Sequence, residues 1–184
     1  GIGFMKSLAD EGLDIRGKKM TLAGAGGAAT PMAIQAALDG VKEISIFNRH
    51  DEFFDNAKRN VDIINEKTDC KATLHELEDQ DDFKKEIASS YIYADATSVG
   101  MNPLQDQTLV TDPTWFSEDQ IVFDTVYAPR DTKLMAVAEK AGVKHVFNGL
   151  GMMLEQGAAA FKLWTKKDMP VDYIREILFG DDAK

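Results

Sequence analysis

Cysteine, histidine and positive charge are all scarce in this sequence. One cysteine, Cys70, stands among the 184 residues, which excludes an internal disulfide framework and a cysteine-rich metal site; we expect it to be a small core residue. The three histidines, His50, His75 and His145, have no second ligand at metal-binding spacing, so no metal site is expected. Lysine and arginine number 21 against 31 aspartates and glutamates, and the resulting net charge of −10 argues against a nucleic-acid partner.

Long hydrophobic runs and a secretory leader are missing as well. The uncharged segment 20–38 is rich in alanine and glycine and contains Pro31, whereas a membrane span needs roughly 20 strongly apolar residues. The opening, GIGFMKSLADEG, has no basic stretch followed by an apolar run and a cleavage site. The length of 184 residues is close to that of one domain. We therefore expect one cytoplasmic domain without a membrane partner.

What the sequence does contain is an alternation of short apolar runs with longer segments of helical periodicity. The expected strands are Lys19–Ala23, Glu43–Asn48, Lys71–His75, Tyr91–Asp95, Ile121–Val126 and Lys144–Phe147. The expected helices are Phe4–Leu13, Ala28–Leu38, Glu52–Thr68, Asp81–Ser89, Thr132–Ala141, Gly151–Thr165 and Val171–Leu178. This pattern predicts an α/β fold with a doubly wound, Rossmann-like parallel sheet of about six strands and helices on both faces.

Both ends of the chain carry apolar helical faces. Phe4 and Leu8 share one face of the first expected helix, and the segment 171–178 carries an apolar stripe. Phe161 and Trp164 stand at helical spacing and are expected to pack in the interior. Whether the two end segments cap this domain or pack on a further one stays open.

The strongest local motif is the glycine-rich turn TLAGAGGAAT at residues 21–30. An apolar strand runs directly into the turn, and a helix follows it. Gly24 permits a tight turn, the second glycine position lets the backbone approach a pyrophosphate, and Ala29 allows close contact between helix and strand. Because both flanking elements are present, dinucleotide binding is favoured over a purely structural turn, which remains the alternative.

The end of the second expected strand carries two conflicting signals for the ribose of a dinucleotide. The sequence there is Asn48-Arg49-His50-Asp51-Glu52. Arg49 could meet a 2′-phosphate or stack on adenine, whereas Asp51 could accept hydrogen bonds from the ribose hydroxyls and would repel that phosphate. Because two acids, Asp51 and Glu52, stand beside one arginine, we expect the site to prefer NAD and to accept NADP as well. In the alternative interpretation, Asp51 or Glu52 only caps the next helix.

Five motifs occur in a fixed order along the whole chain. They are GIGFMKSL at 1–8, AGAGGAA at 23–29, ATSVGMNPL at 96–104, DTVYAP at 124–129 with Thr132-Lys133-Leu134, and GLGMMLEQGAAAFKLWT at 149–165. Together they resemble the C-terminal, nucleotide-binding half of the shikimate dehydrogenase family. The stretch FNRHDEFFDNAKRN at 47–60 looks more like the quinate/shikimate dehydrogenase branch, and its His-Asp-Glu departs from NADP-restricted relatives in the direction expected for NAD.

The resemblance implies an oxidoreductase of aromatic amino acid and chorismate biosynthesis or of quinate metabolism. Its reaction would be reversible hydride transfer between NAD(P) and a ring hydroxyl, shikimate + NAD(P)+ = 3-dehydroshikimate + NAD(P)H, or the same step on quinate. The implied cofactor contacts are Gly24, Ala25, Gly26, Gly27, Ala28, Asn48, Arg49, His50, Asp51, Ser98, Thr125, Val126, Tyr127, Ala128, Gly149 and Met152. Tyr127 and Gln156 match positions that reach the substrate. Asp95 stands where the family commonly has asparagine.

The family's catalytic lysine and aspartate belong to its other half and precede the Gly-x-Gly-Phe motif with which this sequence opens. Lys6 is therefore not the catalytic lysine, and the chain is expected to be inactive alone. Residues 1–184 would form the NAD(P)-binding domain, with 1–14 and 166–184 as helical segments joining or packing on a missing substrate domain. Two alternatives are a non-catalytic NAD(H)-binding module and a dehydrogenase for folate or tRNA-linked substrates. The sequence does not decide whether the substrate is shikimate or quinate, or whether the full-length enzyme is a homodimer.

Overall fold

Six strands form one parallel sheet in the structure, a computed structural model that describes residues 1–180. The strands are β1 (Lys19–Ala23), β2 (Glu43–Asn48), β3 (Lys71–Glu76), β4 (Ile92–Asp95), β5 (Ile121–Asp124) and β6 (His145–Phe147). Their spatial order is β3-β2-β1-β4-β5-β6, and every neighbouring pair is parallel. Because the order reverses direction between β1 and β4, this is the doubly wound dinucleotide-binding arrangement, and the expected fold class is confirmed.

Seven helices connect and flank the strands in the part of the chain that the structure describes. They are α1 (Ile2–Asp10), α2 (Ala29–Leu38), α3 (Phe54–Lys67), α4 (Gln80–Ser89), α5 (Lys133–Lys140), α6 (Leu150–Thr165) and α7 (Val171–Phe179). Most bounds lie within two residues of those expected. The first helix differs more, since it ends at Asp10 and not at Leu13. Gly12 there takes a φ of +74°, and the Leu13 N–H turns back to the Leu8 carbonyl at 3.0 Å.

Apolar side chains are buried on both faces of the sheet. On one face, Phe4 of α1 lies edge-on against Phe123 of β5, with ring centroids 5.0 Å apart, and both belong to the larger core cluster. On the other face, Phe83 of α4 lies edge-on against Tyr93 at 5.8 Å. Cys70 is buried in the first cluster as expected, and burial raises the pKa of its thiol to about 11. Two covered faces leave the strand ends as the place where a ligand can reach the sheet.

The two ends of the chain meet on the same side of the molecule. Helix α1 packs on α6 and α2, and α7 packs on α6 through Phe179. The expectation that Trp164 is buried is wrong, because this indole in the last turn of α6 is 83% exposed. Residues 181–184 of the expected C-terminal segment lie outside the described residues. Within residues 1–180, no helix is long and apolar enough to cross a membrane.

Candidate functional site

A cleft of about 290 Å³ opens at the carboxyl ends of β1, β2 and β4. This is the point where the strand order reverses, which is where open α/β sheets bind ligands. Of the predicted cofactor residues, those lining the cleft are Gly24, Ala25, Gly26, Asn48, Arg49, Asp51 and Ser98. The lining residues that sequence reasoning missed are Phe53, Leu77, Ala96, Thr97, Val99, Leu104 and Leu109. Four of these seven fall within the quoted ATSVGMNPL motif and Phe53 falls within the quoted stretch 47–60, whereas nothing local in the sequence marks Leu77 and Leu109.

The glycine turn between β1 and α2 forms the floor of the cleft. Gly24 takes a φ of +103°, and a Cβ added to it would lie 2.9 Å from the Ala96 carbonyl oxygen, so the turn requires glycine here. A Cβ added to Gly26 or Gly27 would meet no atom within 4 Å, so space in front of this backbone is open. Helix α2 begins immediately afterwards at Ala29, with no side-chain cap on its N-terminus.

These features fit a dinucleotide pyrophosphate. An uncapped helix N-terminus presents backbone N–H groups and a partial positive charge, both of which favour a phosphate. The open backbone at Gly26 lets that phosphate come close. Ala28 is the residue preceding α2, and neither Ala28 nor Gly27 lines the cleft itself.

At the end of β2 a small hydrogen-bonded loop shapes the end of the cleft that is predicted to hold the ribose. The Asn48 amide donates to the Arg49 carbonyl at 2.8 Å and to Asp51 Oδ1 at 2.9 Å. The same Oδ1 accepts the Phe53 N–H at 3.0 Å, just before α3 begins. Asp51 therefore contacts the residue that precedes α3, but no side chain caps this helix, so the alternative interpretation of Asp51 or Glu52 as its cap is wrong. Its Oδ2 is left facing the Arg49 guanidinium at 3.7 Å, and it remains the carboxylate oxygen available to a ligand.

Two further predicted residues of this loop behave differently. The His50 ring stacks on Phe54 with centroids 4.4 Å apart and does not line the cleft. The exposed Phe53 ring and the buried Leu77 lie on the cleft wall, where they give an apolar surface of the kind that binds a nucleobase.

A second group of predicted residues follows β5 and β6, beside the cleft but outside its lining. The Gly149 N–H donates to the Val126 carbonyl at 2.9 Å, and a Cβ on Gly149 would collide with the Thr125 carbonyl oxygen. Tyr127 is 48% exposed, and Ala128 next to it is exposed as well. Gly149 thus locks the loop after β5 against the start of α6, which leaves the Tyr127 ring free to contact a ligand.

Helix α6 carries the last two predicted residues. Met152 is half-buried against the larger core cluster, and Gln156 is exposed one turn further along. Neither belongs to the 290 Å³ cleft. The structure therefore brings most of the predicted pyrophosphate and ribose residues together in one cleft, and the predicted nicotinamide and substrate residues of the β5 loop and α6 lie outside its lining.

Two buried aspartates stand at the ends of neighbouring strands. Asp95 of β4 and Asp124 of β5 are paired in register, and each is only 2% exposed. Burial raises the pKa of Asp95, and burial together with the Asp95 charge raises the pKa of Asp124 to about 7. Sequence reasoning noted Asp95 as a departure from the usual asparagine but did not identify Asp124 as its partner.

A third buried acid, Glu155 of α6, was missed entirely. Its side chain is 0% exposed, and its Oε2 lies 3.0 Å from Lys6 Nζ of α1, while Arg175 Nη2 of α7 lies 3.7 Å from Oε1. Glu155 raises the pKa of Lys6, and neither carboxylate oxygen has a well-aligned hydrogen bond among the described residues. Lys6 is thus a structural partner of Glu155. In residues 1–180 no cluster of three or more histidine, cysteine or acidic side chains could hold a metal ion.

Comparison with known proteins assigns this geometry to a family. The family model for the shikimate 5'-dehydrogenase C-terminal domain matches residues 149–179. A shikimate dehydrogenase (NADP(+)) of Streptococcus uberis is 54% identical over all 184 residues, and one of Listeria monocytogenes is 56% identical over 179 residues, or 97% of this chain. The chain spans 62% and 61% of the lengths of these two relatives.

Solved structures agree with this result. A crystal structure of shikimate 5-dehydrogenase from Listeria monocytogenes, in complex with shikimate and NAD, superimposes with a TM-score of 0.93 at 56% identity. The similarity covers 96% of this chain and 61% of that one. The chain therefore belongs to the shikimate dehydrogenase family, of which it represents the C-terminal, nucleotide-binding part.

Proposed function

We propose that this chain is the cofactor-binding part of a shikimate dehydrogenase. The enzyme would transfer a hydride reversibly between NAD(P) and a ring hydroxyl of shikimate. The observation that carries the proposal is the glycine turn opening into the cleft at the β1–β4 reversal, in a chain 54% identical throughout to a shikimate dehydrogenase. Shikimate is preferred to quinate because both relatives and the Listeria monocytogenes complex are named for shikimate.

The cofactor would lie along the carboxyl edge of the sheet. Residues 24–28 would hold the pyrophosphate at the N-terminus of α2, and residues 48–51 would hold the adenosine ribose. Ser98, the loop 125–128, Gly149 and Met152 would line the path toward the nicotinamide. When bound, the dinucleotide supplies the hydride donor or acceptor, and the chain's own residues orient it.

The substrate would contact this part of the enzyme through two polar groups. The Tyr127 hydroxyl and the Gln156 amide are exposed on the surface that adjoins the cleft, so both can hydrogen-bond to a ligand held there. Holding the alcohol close to the nicotinamide lowers the barrier by several kcal/mol through positioning alone. The family resemblance places the proton-transferring lysine and aspartate in the other half of the enzyme, so the chain by itself should bind cofactor without turning substrate over.

The rest of the enzyme would pack against the helices at the chain ends. Exposed apolar residues are concentrated on α6 and α7: Leu163, Trp164, Tyr173, Ile177 and Leu178. Such a patch on a protein whose relatives are considerably longer is typical of a surface covered by another domain. We infer that these helices join the nucleotide-binding domain to the substrate domain.

For the cofactor we propose NAD, with NADP also accepted. The Asp51 Oδ2 faces the ribose end of the cleft, and its negative charge would oppose a 2′-phosphate. The exposed Arg49 guanidinium, 3.7 Å away, would offset part of that repulsion and so permit NADP. The relatives are named for NADP(+), whereas the Listeria monocytogenes structure holds NAD, and use of both cofactors accommodates the two names.

Calorimetric titration of the chain with NAD and NADP tests this proposal. Saturable NAD binding is expected, with Asp51→Ala weakening NAD about tenfold while leaving NADP unchanged or tighter, as expected for one lost charged hydrogen bond. Glu52→Ala is the matched control, because this exposed neighbouring acid does not line the cleft. Binding of neither cofactor would contradict the proposed function. A stronger loss for NADP than for NAD in Asp51→Ala would contradict the role of Asp51.

A further inference from the structure

Asp95 and Asp124 form a buried pair at the carboxyl edge of the sheet. They end two adjacent parallel strands and are Cα partners in the register, so their side chains leave the sheet on the same face. Adjacent strands lie about 4.8 Å apart, which places the two carboxylates next to each other. Each residue is 2% exposed. Two ionisable carboxyl groups are thus held side by side away from water.

Each carboxylate holds the beginning of a loop. Asp95 Oδ1 accepts the backbone N–H of Thr97 at 2.9 Å and its hydroxyl at 2.7 Å. Asp124 Oδ1 accepts the Val126 N–H at 2.9 Å, and its Oδ2 accepts the Thr132 hydroxyl at 2.7 Å. The first loop lines the candidate cleft through residues 96–99, and the second carries Tyr127. The two loops flank the path proposed for the cofactor.

Among residues 1–180, the other groups with hydrogen bonds to the pair are neutral. Tyr93, which is fully buried on β4, donates its hydroxyl to Asp95 Oδ2 at 3.2 Å and is the one further titratable group among these contacts. On the other neighbouring strand, Ala23 of β1 is the register partner of Asp95. With hydroxyl and amide donors alone, two ionised carboxylates would repel each other at low dielectric, and pairs of this kind retain one proton between them. The raised pKa values of both aspartates agree with this.

We propose that Asp95 and Asp124 share one proton at neutral pH, and that this shared proton holds the loops 96–100 and 125–132 in the geometry that binds the dinucleotide. Both aspartates are positioning residues, since they act through the loops and not on the cofactor itself. Loss of the proton drives the two strand ends apart and moves the loops that follow them. The role in cofactor binding rests on the proposed function, whereas the shared proton does not.

The first test is the affinity for NAD between pH 5.5 and pH 9. NAD is chosen because its pyrophosphate does not titrate in this range. We expect the affinity of the wild-type chain to fall about tenfold across a single step near neutral pH. Asp124→Asn removes one charge and keeps an oxygen acceptor, and its affinity should vary less than twofold. A wild-type affinity that does not change with pH, or an unchanged step in Asp124→Asn, would overturn the proposal.

Two control variants separate this step from other titrations. His50→Gln removes the imidazole of the loop 48–51; this variant is read only for its pH step, which should be the same as in the wild-type chain. Tyr93→Phe removes the hydroxyl that contacts the pair while leaving both carboxylates, and it should keep the step as well. Loss of the step in His50→Gln alone would assign it to the imidazole and overturn the proposal.

A cofactor-independent measurement decides the shared proton by itself. In the chain labelled with ¹³C at the aspartate carboxyls, one resonance should titrate near neutral pH, and Asp124→Asn should abolish that step. If every carboxyl titrates below pH 5, the shared proton is refuted. If the chain binds no NAD at any pH while the neutral step is present, the proposed function and the role of the pair in binding fail, but the shared proton stands.

Discussion

The free energy of unfolding of the Asp124→Asn variant, relative to that of the wild-type chain, should be higher at alkaline pH than at acidic pH. Burial and the Asp95 charge raise the pKa of Asp124 from 3.8 to about 7 in the folded chain. The folded state therefore binds this proton more tightly than the unfolded state does. Its contribution to stability is complete below about pH 4 and is lost as the pH rises through 7. Asparagine has no such proton to lose.

The size of the effect follows from the pKa difference. A pKa difference of about three units between the folded and unfolded states corresponds to about 4 kcal/mol in the free energy of unfolding over the whole pH range. About 3 kcal/mol of this stability is lost between pH 5 and pH 8.5, because about two of the three pKa units lie above pH 5. The asparagine oxygen can still accept the Val126 N–H, and its amide can donate to the Thr132 hydroxyl, so the loop keeps its local hydrogen bonds.

Urea denaturation of both proteins at pH 5.0 and pH 8.5, at one ionic strength, measures this quantity. The free energy of unfolding of the variant minus that of wild type should rise by about 3 kcal/mol between the two pH values, or roughly 6–12 °C in Tm. Asp95 is coupled to Asp124, whereas the remaining titrating groups are common to the two proteins and cancel to first order. A difference that stays constant within about 1 kcal/mol would refute the conclusion that Asp124 titrates near neutral pH.

Further substitutions test three other parts of the structure. Gly26→Ala should leave Tm unchanged, because its Cβ meets no atom within 4 Å, and should weaken the binding of NAD at least about tenfold in calorimetry. Gly24→Ala, at φ +103°, should lower the free energy of unfolding by about 2 kcal/mol. Lys6→Met should lower the free energy of unfolding, measured in urea, by about 2 kcal/mol, because it leaves the buried Glu155 with only the more distant Arg175 as a partner. Adding Glu155→Gln to this variant should recover most of the lost stability. Phe4→Ala should cost about 3–5 kcal/mol, since the ring is fully buried, and equal stability to wild type would show that α1 is not part of the core.

The sequence was sufficient wherever the deciding information is local. The bounds of β1 and β2 were predicted to the residue, because each is a short apolar run ended by turn chemistry. The role of Gly24 was likewise predictable, since a tight strand-to-helix turn needs a positive φ.

Pairings between distant residues were not predictable in this way. That Asp95 faces Asp124 depends on β4 and β5 being neighbours in one register, which no local pattern specifies. The contact of Lys6 with Glu155 joins opposite ends of the chain. Trp164 has ordinary helical spacing, and its exposure depends on which elements pack against the last turn of α6, which helical spacing does not specify.

The packing of α1 on α6 has a consequence for how the chain is made. Phe4 and Leu8 lie in α1 and are added to the growing chain before residue 10, whereas α6, the helix that covers them, ends at Thr165. At ribosomal rates of roughly 5–20 residues per second, that interval lasts roughly 8–30 s. During this time α1 has only α2 among its eventual helical partners, and its apolar face is open to chaperones or to other nascent chains. Helix α1 is thus synthesised well before the helix that supplies most of its contacts.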